Sequence, residues 1–201
     1  MKAYLFLCPH SRNIAVETTS VYVDGFAARL LPVFDHIDEE AATETEKAWQ
    51  AASSSPACNE NVDPSVYAEA VQEYGLEVYK NLQFTRQQLL GLATAGLYHL
   101  WERLLKQFLC KELRGWTFNG CYSRKMIADA DFGRLESFLS QFGFQLKKQL
   151  YYADVCELRH VANVVKHGDG KSCEELRALA PRLFEGLDHY FDIFSNRTAW
   201  S

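Results

Sequence analysis

Apolar residues along most of this chain return every three or four positions, the period of a helix resting on a core rather than the alternation of a half-buried strand. Residues 14–34 are β-branched at the start, which leaves helix or strand open there; Phe26, Leu30 and Phe34, four apart, favour helix toward the end. EEAATETEKAWQAA, 39–52, is built of strong helix formers, and SSSPACNENVD, 53–63, is loop-like. Asp63-Pro64 predicts a helix start, with a capping carboxylate followed by proline in the first turn. That helix carries Tyr67, Val71 and Tyr74 on one side and is expected to end near Asn81. Thr85 and Gln88 have capping-box spacing and predict a new helix to about Leu113, with Leu90, Leu97, Trp101, Leu104, Leu105 and Phe108 as its apolar stripe.

Beyond it, GWTFNGCYSR, 115–124, reads as a turn with a short extended piece. Asp131 caps a helix through Phe142, which Gly143 stops. The next helix starts either near Leu146 or at Asp154, and Gly168 and Gly170 end it. Ser172 and Glu175 form another capping box, opening a last helical region that bends at Pro181 and runs through Phe194. At the other end, the apolar run of MKAYLFLCPH is too brief for a signal sequence or a spanning helix and is expected to form a short buried strand or a tucked-in terminus. The pattern predicts an all-α protein with a mostly helical N-terminal segment, 1–84, packed on a helical domain, 85–201.

Composition narrows the class. With 201 residues, 48% hydrophobic and 23% charged, the chain can bury a sizeable core. Its net charge of -5 argues against a protein that coats nucleic acid through a broad basic surface. The charge is uneven: residues 1–83 hold 5 basic and 13 acidic residues, and residues 84–201 hold 16 and 13. A local anion site in the C-terminal half is compatible with this, and so is a protein partner for the acidic segment. Six cysteines without CxxC spacing read as reduced thiols of a cytoplasmic protein.

Chemistry concentrates in ELRHVANVVKHGDG, 157–170. On a helix, Arg159, Asn163, Lys166 and His167 fall within an arc of roughly 100°, with Leu158, Val161, Val164 and Val165 opposite. One reading is a solvated helix face. The residue types suit another: Arg supplies a fork for phosphate, His exchanges a proton near neutral pH, and Asn orients a substrate. Together they fit metal-independent RNA cleavage, in which the 2'-hydroxyl attacks the neighbouring phosphorus. His167, Asp169 and Cys173 could hold a metal but lack any recognised ligand spacing, and His99 and Glu102, three apart, read as a satisfied buried polar pair or, alternatively, as support for the 157–170 motif. Cys8, Pro9 and His10 read as packing rather than as a thiol nucleophile with its base. Most of Trp101, Trp116, Tyr122, Tyr151 and Tyr152 are expected in the core.

Arg159-His160 followed by His167 near a helix end, with Gly168 next, resembles the signature of the HEPN (higher eukaryote and prokaryote nucleotide-binding) domains. GLYHLWERLLKQFL, 96–109, is similar to the long helix of such domains. The seven residues between Arg159 and His167 make a longer gap than the family's usual one. The resemblance covers roughly residues 85–195 and implies an all-helical bundle, no cofactor or metal, and RNA as substrate. It also implies a toxin or anti-phage setting and a homodimer that pairs two motifs. Arg159, Asn163 and His167 would then be catalytic, with His160 and Lys166 binding substrate. The same resemblance leaves room for a non-catalytic module that binds RNA, a nucleotide or a protein, such as an immunity or antitoxin subunit.

Overall fold

The computed structural model describes residues 5–6, 8–54, 63–114, 117–118, 121–168 and 170–184. They form an all-α structure: α1 (Pro9–Arg29), α2 (Ile37–Ser53), α3 (Pro64–Glu112), α4 (Ser123–Ala128), α5 (Phe132–Gln141), α6 (Tyr152–His167) and α7 (Lys171–Leu179). Single 3-10 turns lie at Leu31–Phe34, Leu146–Lys148 and Pro181–Leu183. One antiparallel pair of two-residue strands, β1 (Thr117–Phe118) and β2 (Cys121–Tyr122), sits where the turn-rich stretch predicts an extended piece, with Thr117 opposite Tyr122.

The chain divides into two compact units, Met1–Asp24 with Gly91–Ser201, and Gly25–Leu90. The smaller is an αα-hairpin of α2 and the first part of α3, with Ile37, Ala41 and Val71 buried. Gly75 lets the helices close up, because a Cβ there would overlap the Thr45 hydroxyl. In the larger unit a cluster of Tyr98, Leu109, Ile127, Phe132, Leu135, Leu139 and Val155 joins α3, α4, α5 and α6. A second, smaller cluster of Val161, Val164, Cys173, Leu176 and Ala180 joins α6 to α7.

Several elements match their local signals. Asp63 Oδ1 accepts from the Ser65 N–H at 2.9 Å as α3 begins, and Asp131 Oδ1 accepts from the Arg134 N–H at 2.8 Å as α5 begins. Gly143, just past α5, has φ +82°, where glycine meets no Cβ clash.

The division between Asn81 and Thr85 does not exist. No glycine or proline interrupts this stretch, and the Thr85 hydroxyl donates to the Asn81 carbonyl at 2.8 Å, four residues back along the same helix. A side chain read as a cap is thus satisfied inside a continuous helix, and α3 runs 49 residues. Residues 14–29 are helical throughout, within an α1 that already starts at Pro9. α6 starts at Tyr152, between the two expected starts, with Asp154 inside its first turn. α7 starts at Lys171 on Gly170, without a Ser172 cap. Pro181 does end α7; the continuation to Phe194, the 55–62 loop and most of the N-terminal strand lie outside the described residues.

Replacing Thr85 by Pro tests the continuous helix. It removes an interior hydrogen bond and should cost about 3 kcal/mol in urea unfolding. A neutral effect would mean that a helix begins there.

Candidate functional site

α6 is helical because its ends are marked and its flanks are apolar. Asp154 lies in the first turn and Lys166 in the last, each charge complementing the helix dipole. Gly168, at φ +72°, stops it, its N–H reaching the Val164 carbonyl at 2.7 Å. Val155 and Ala162 join the larger core, with Leu158 and Val165 packed against it, while Val161 and Val164 face α7. Two cores therefore grip one helix, and the polar stripe lies between them.

The stripe is not evenly wet. Lys166 and His167 are exposed, whereas Arg159, His160 and Asn163 are half-buried. Tyr152 and Cys156, on the same arc as Arg159, pack against the larger core. The Arg159 guanidinium lies 5.0 Å from the Phe132 ring centroid, a cation–π contact that stabilises by about 0.5–2 kcal/mol. Phe132 continues an aromatic chain: Trp101 at 6.1 Å on one side, Tyr152 at 6.4 Å on the other, and Tyr98 stacked on Trp101 at 6.0 Å.

Electrostatics follow burial. Desolvation pushes the Tyr98 phenol up to about 12, Glu102 adding to the shift and Arg159 opposing it. Burial raises the Tyr152 phenol as well, helped by its contacts with Cys156 and Glu136. Both phenols therefore stay protonated, and Arg159 has no phenolate to neutralise it. Nor does it form an ion pair with any described carboxylate.

His160 faces α7 instead. Its side chain is 16% exposed, with Nδ1 3.5 Å from Glu175 Oε2, too long for a hydrogen bond. Burial and the Arg159 charge lower its pKa, outweighing the opposite pull of Glu175. On the same flank Arg182 Nη2 holds both Glu157 oxygens at 2.6 and 2.8 Å. No family model, curated protein or solved structure matches this chain.

The His99 and Glu102 pair is not buried as expected. His99 is 60% exposed and 3.8 Å from Glu102, whose other oxygen holds Lys106 at 3.0 Å. Among the described residues no three His, Cys, Asp or Glu side chains form a metal-binding group, and Asp169 lies outside them. No described helix is long and apolar enough to cross a membrane. Cys8, Cys110, Cys156 and Cys173 are free thiols. Cys8 turns to Ser11 rather than His10, with Sγ 3.1 Å from its hydroxyl, and this contact lowers the thiol pKa. Trp101 and Tyr152 pack on the core and Tyr151 is exposed, while the Trp116 and Tyr122 side chains lie outside the described residues. Periodicity missed the aromatic seat of Arg159, because Phe132 is a neighbour in space and not along the helix.

His160 makes a pH prediction. Its folded pKa lies below its ordinary 6.5, so the unfolded chain binds the proton more readily. The stability it permits is fully present above pH 6.5 and is lost as pH falls through the lowered folded value. Denaturant unfolding from pH 7.5 to about 5 should show the wild type losing stability relative to His160→Gln. Parallel profiles would place His160 in a solvated environment.

Proposed function

We propose that this chain is a metal-independent endoribonuclease of HEPN-like type, with Arg159, Asn163, Lys166 and His167 as its phosphodiester site. One observation carries the reading. These four side chains have no ion pair or side-chain hydrogen bond among the described residues, while the flanking Glu157 is fully engaged by Arg182. A half-buried, unpaired guanidinium attracts an anion, and phosphate geometry suits its fork.

In this mechanism a base removes the 2'-hydroxyl proton, the 2'-oxygen attacks phosphorus, and the 5'-oxygen leaves with a proton from an acid. His167 supplies the acid or base, Arg159 stabilises charge on the phosphorane, and Asn163 and Lys166 hold the backbone. Along α6 the Cα atoms of Arg159 and His167 are about 12 Å apart. Two copies placed face to face would shorten that reach by pairing Arg159 of one with His167 of the other, so the proposal includes a symmetric homodimer. A toxin or anti-phage role, like the cytoplasmic setting, belongs to the same proposal and rests on the resemblance.

The seating of Arg159 on Phe132 favours a second reading, a module that binds RNA without cutting it. A guanidinium already held by a ring serves positioning as readily as catalysis.

The purified chain is expected to cut RNA in EDTA, with His167→Ala slower by about 10²–10⁴-fold and RNA binding retained. Arg159→Ala should weaken binding and flatten its salt dependence by about one phosphate contact. Binding that responds to Arg159 without cleavage by any form selects the module reading. Cleavage undiminished in His167→Ala removes that residue from the mechanism.

A further inference from the structure

The first part of α1, Pro9–Asp24, belongs to the larger unit, and none of the helix's side chains is fully buried. Beneath its first half is a cavity of about 830 Å³, within the range of small-molecule sites. Trp101, Leu105 and Phe108 of α3 form its floor, the Leu139 and Phe142 side of α5 its far wall, and α1 its cover. Four residues of the apolar stripe expected to be core on α3, Trp101, Leu104, Leu105 and Phe108, line this cavity, and all four are half-buried. One end of the cover is fastened. The Tyr22 hydroxyl donates to the Ala93 carbonyl at 2.8 Å, and Gly96 makes room for it, since a Cβ there would overlap the phenol oxygen.

Among the lining residues Lys111 is the one charged side chain; the Tyr151 phenol, raised by burial, stays neutral. Its Nζ lies 3.4 Å from the Ser11 hydroxyl and pairs with no described carboxylate. Glu112, the next residue, is not part of the lining. An apolar cavity with a cation and a hydroxyl in its wall matches an aliphatic chain bearing one anionic head.

We propose that this cavity binds a long-chain aliphatic carboxylate, its tail along Trp101, Leu105 and Phe108 and its head on Lys111 and Ser11. The occupant is one amphipathic anion per chain. This site is separate from the α6 stripe and independent of any activity on RNA.

Cis-parinaric acid fluorescence with the full chain, followed by displacement with palmitate and with 1-hexadecanol, tests it. Saturable uptake of one probe per chain is expected, displaced by palmitate. Lys111→Met should weaken palmitate about tenfold and leave 1-hexadecanol unchanged, because only the carboxylate loses its partner. Ala15→Trp, which fills the cavity from α1, should weaken both ligands while circular dichroism stays helical. No saturable uptake, or palmitate binding indifferent to Lys111→Met, would overturn the proposal. So would a concentration-dependent dimer that competes with the probe, since a second copy would then be the occupant.

Discussion

Arg159 resting on Phe132 ties the candidate site to the core, and that contact depends in turn on a single cap. Asp131 accepts the Arg134 N–H and begins α5 at Phe132, so the ring is fixed at the first residue of a helix. From there it meets Trp101 of α3 and Tyr152 of α6 and supports the guanidinium. A permanently charged group is thereby held half out of water with no carboxylate partner among the described residues. Ring and cap together give it a defined position. Free on a solvated face, the same arginine would spend conformational entropy each time it met an anion.

α6 is gripped on two sides by unlike contacts. Toward α3 and α5 they are aromatic and aliphatic; toward α7 they are aliphatic, bordered by His160 with Glu175 and by Glu157 with Arg182. Of these, Glu157 and Arg182 satisfy each other across the helices, whereas His160 stays neutral beside Glu175 without a hydrogen bond to it. What remains for a ligand is narrow. It begins half-buried at Arg159 and ends in water at Lys166 and His167, and a phosphate entering it would exchange solvent for protein along the way.

The sequence was most legible where the deciding contact is local. Asp63, Asp131, Gly143 and Gly168 mark helix ends because a cap or a left-handed glycine acts within a few residues. It misled where one local pattern serves two structures. Thr85 followed by Gln88 has the spacing of a helix start, yet the same hydroxyl bonds the Asn81 carbonyl inside a continuing helix. Periodicity placed Arg159, Asn163, Lys166 and His167 on one arc of α6, which is how they lie. It could not tell that Phe132, from another helix, would cover part of that arc, or that His99 would stand in solvent beside Glu102. Burial of a polar residue is a tertiary fact, set by what packs opposite.

The absence of buried side chains on α1 also bears on time as well as space. Local opening costs least where little apolar surface is given up, so a helix with none fully buried can detach long before the clusters around Leu109 and Leu176 loosen. Its polar ties to α3 are the Tyr22 hydroxyl, toward its far end, and the longer Ser11–Lys111 contact near its start. Amides along α1 are therefore expected to exchange ahead of those around Leu109 and Leu176.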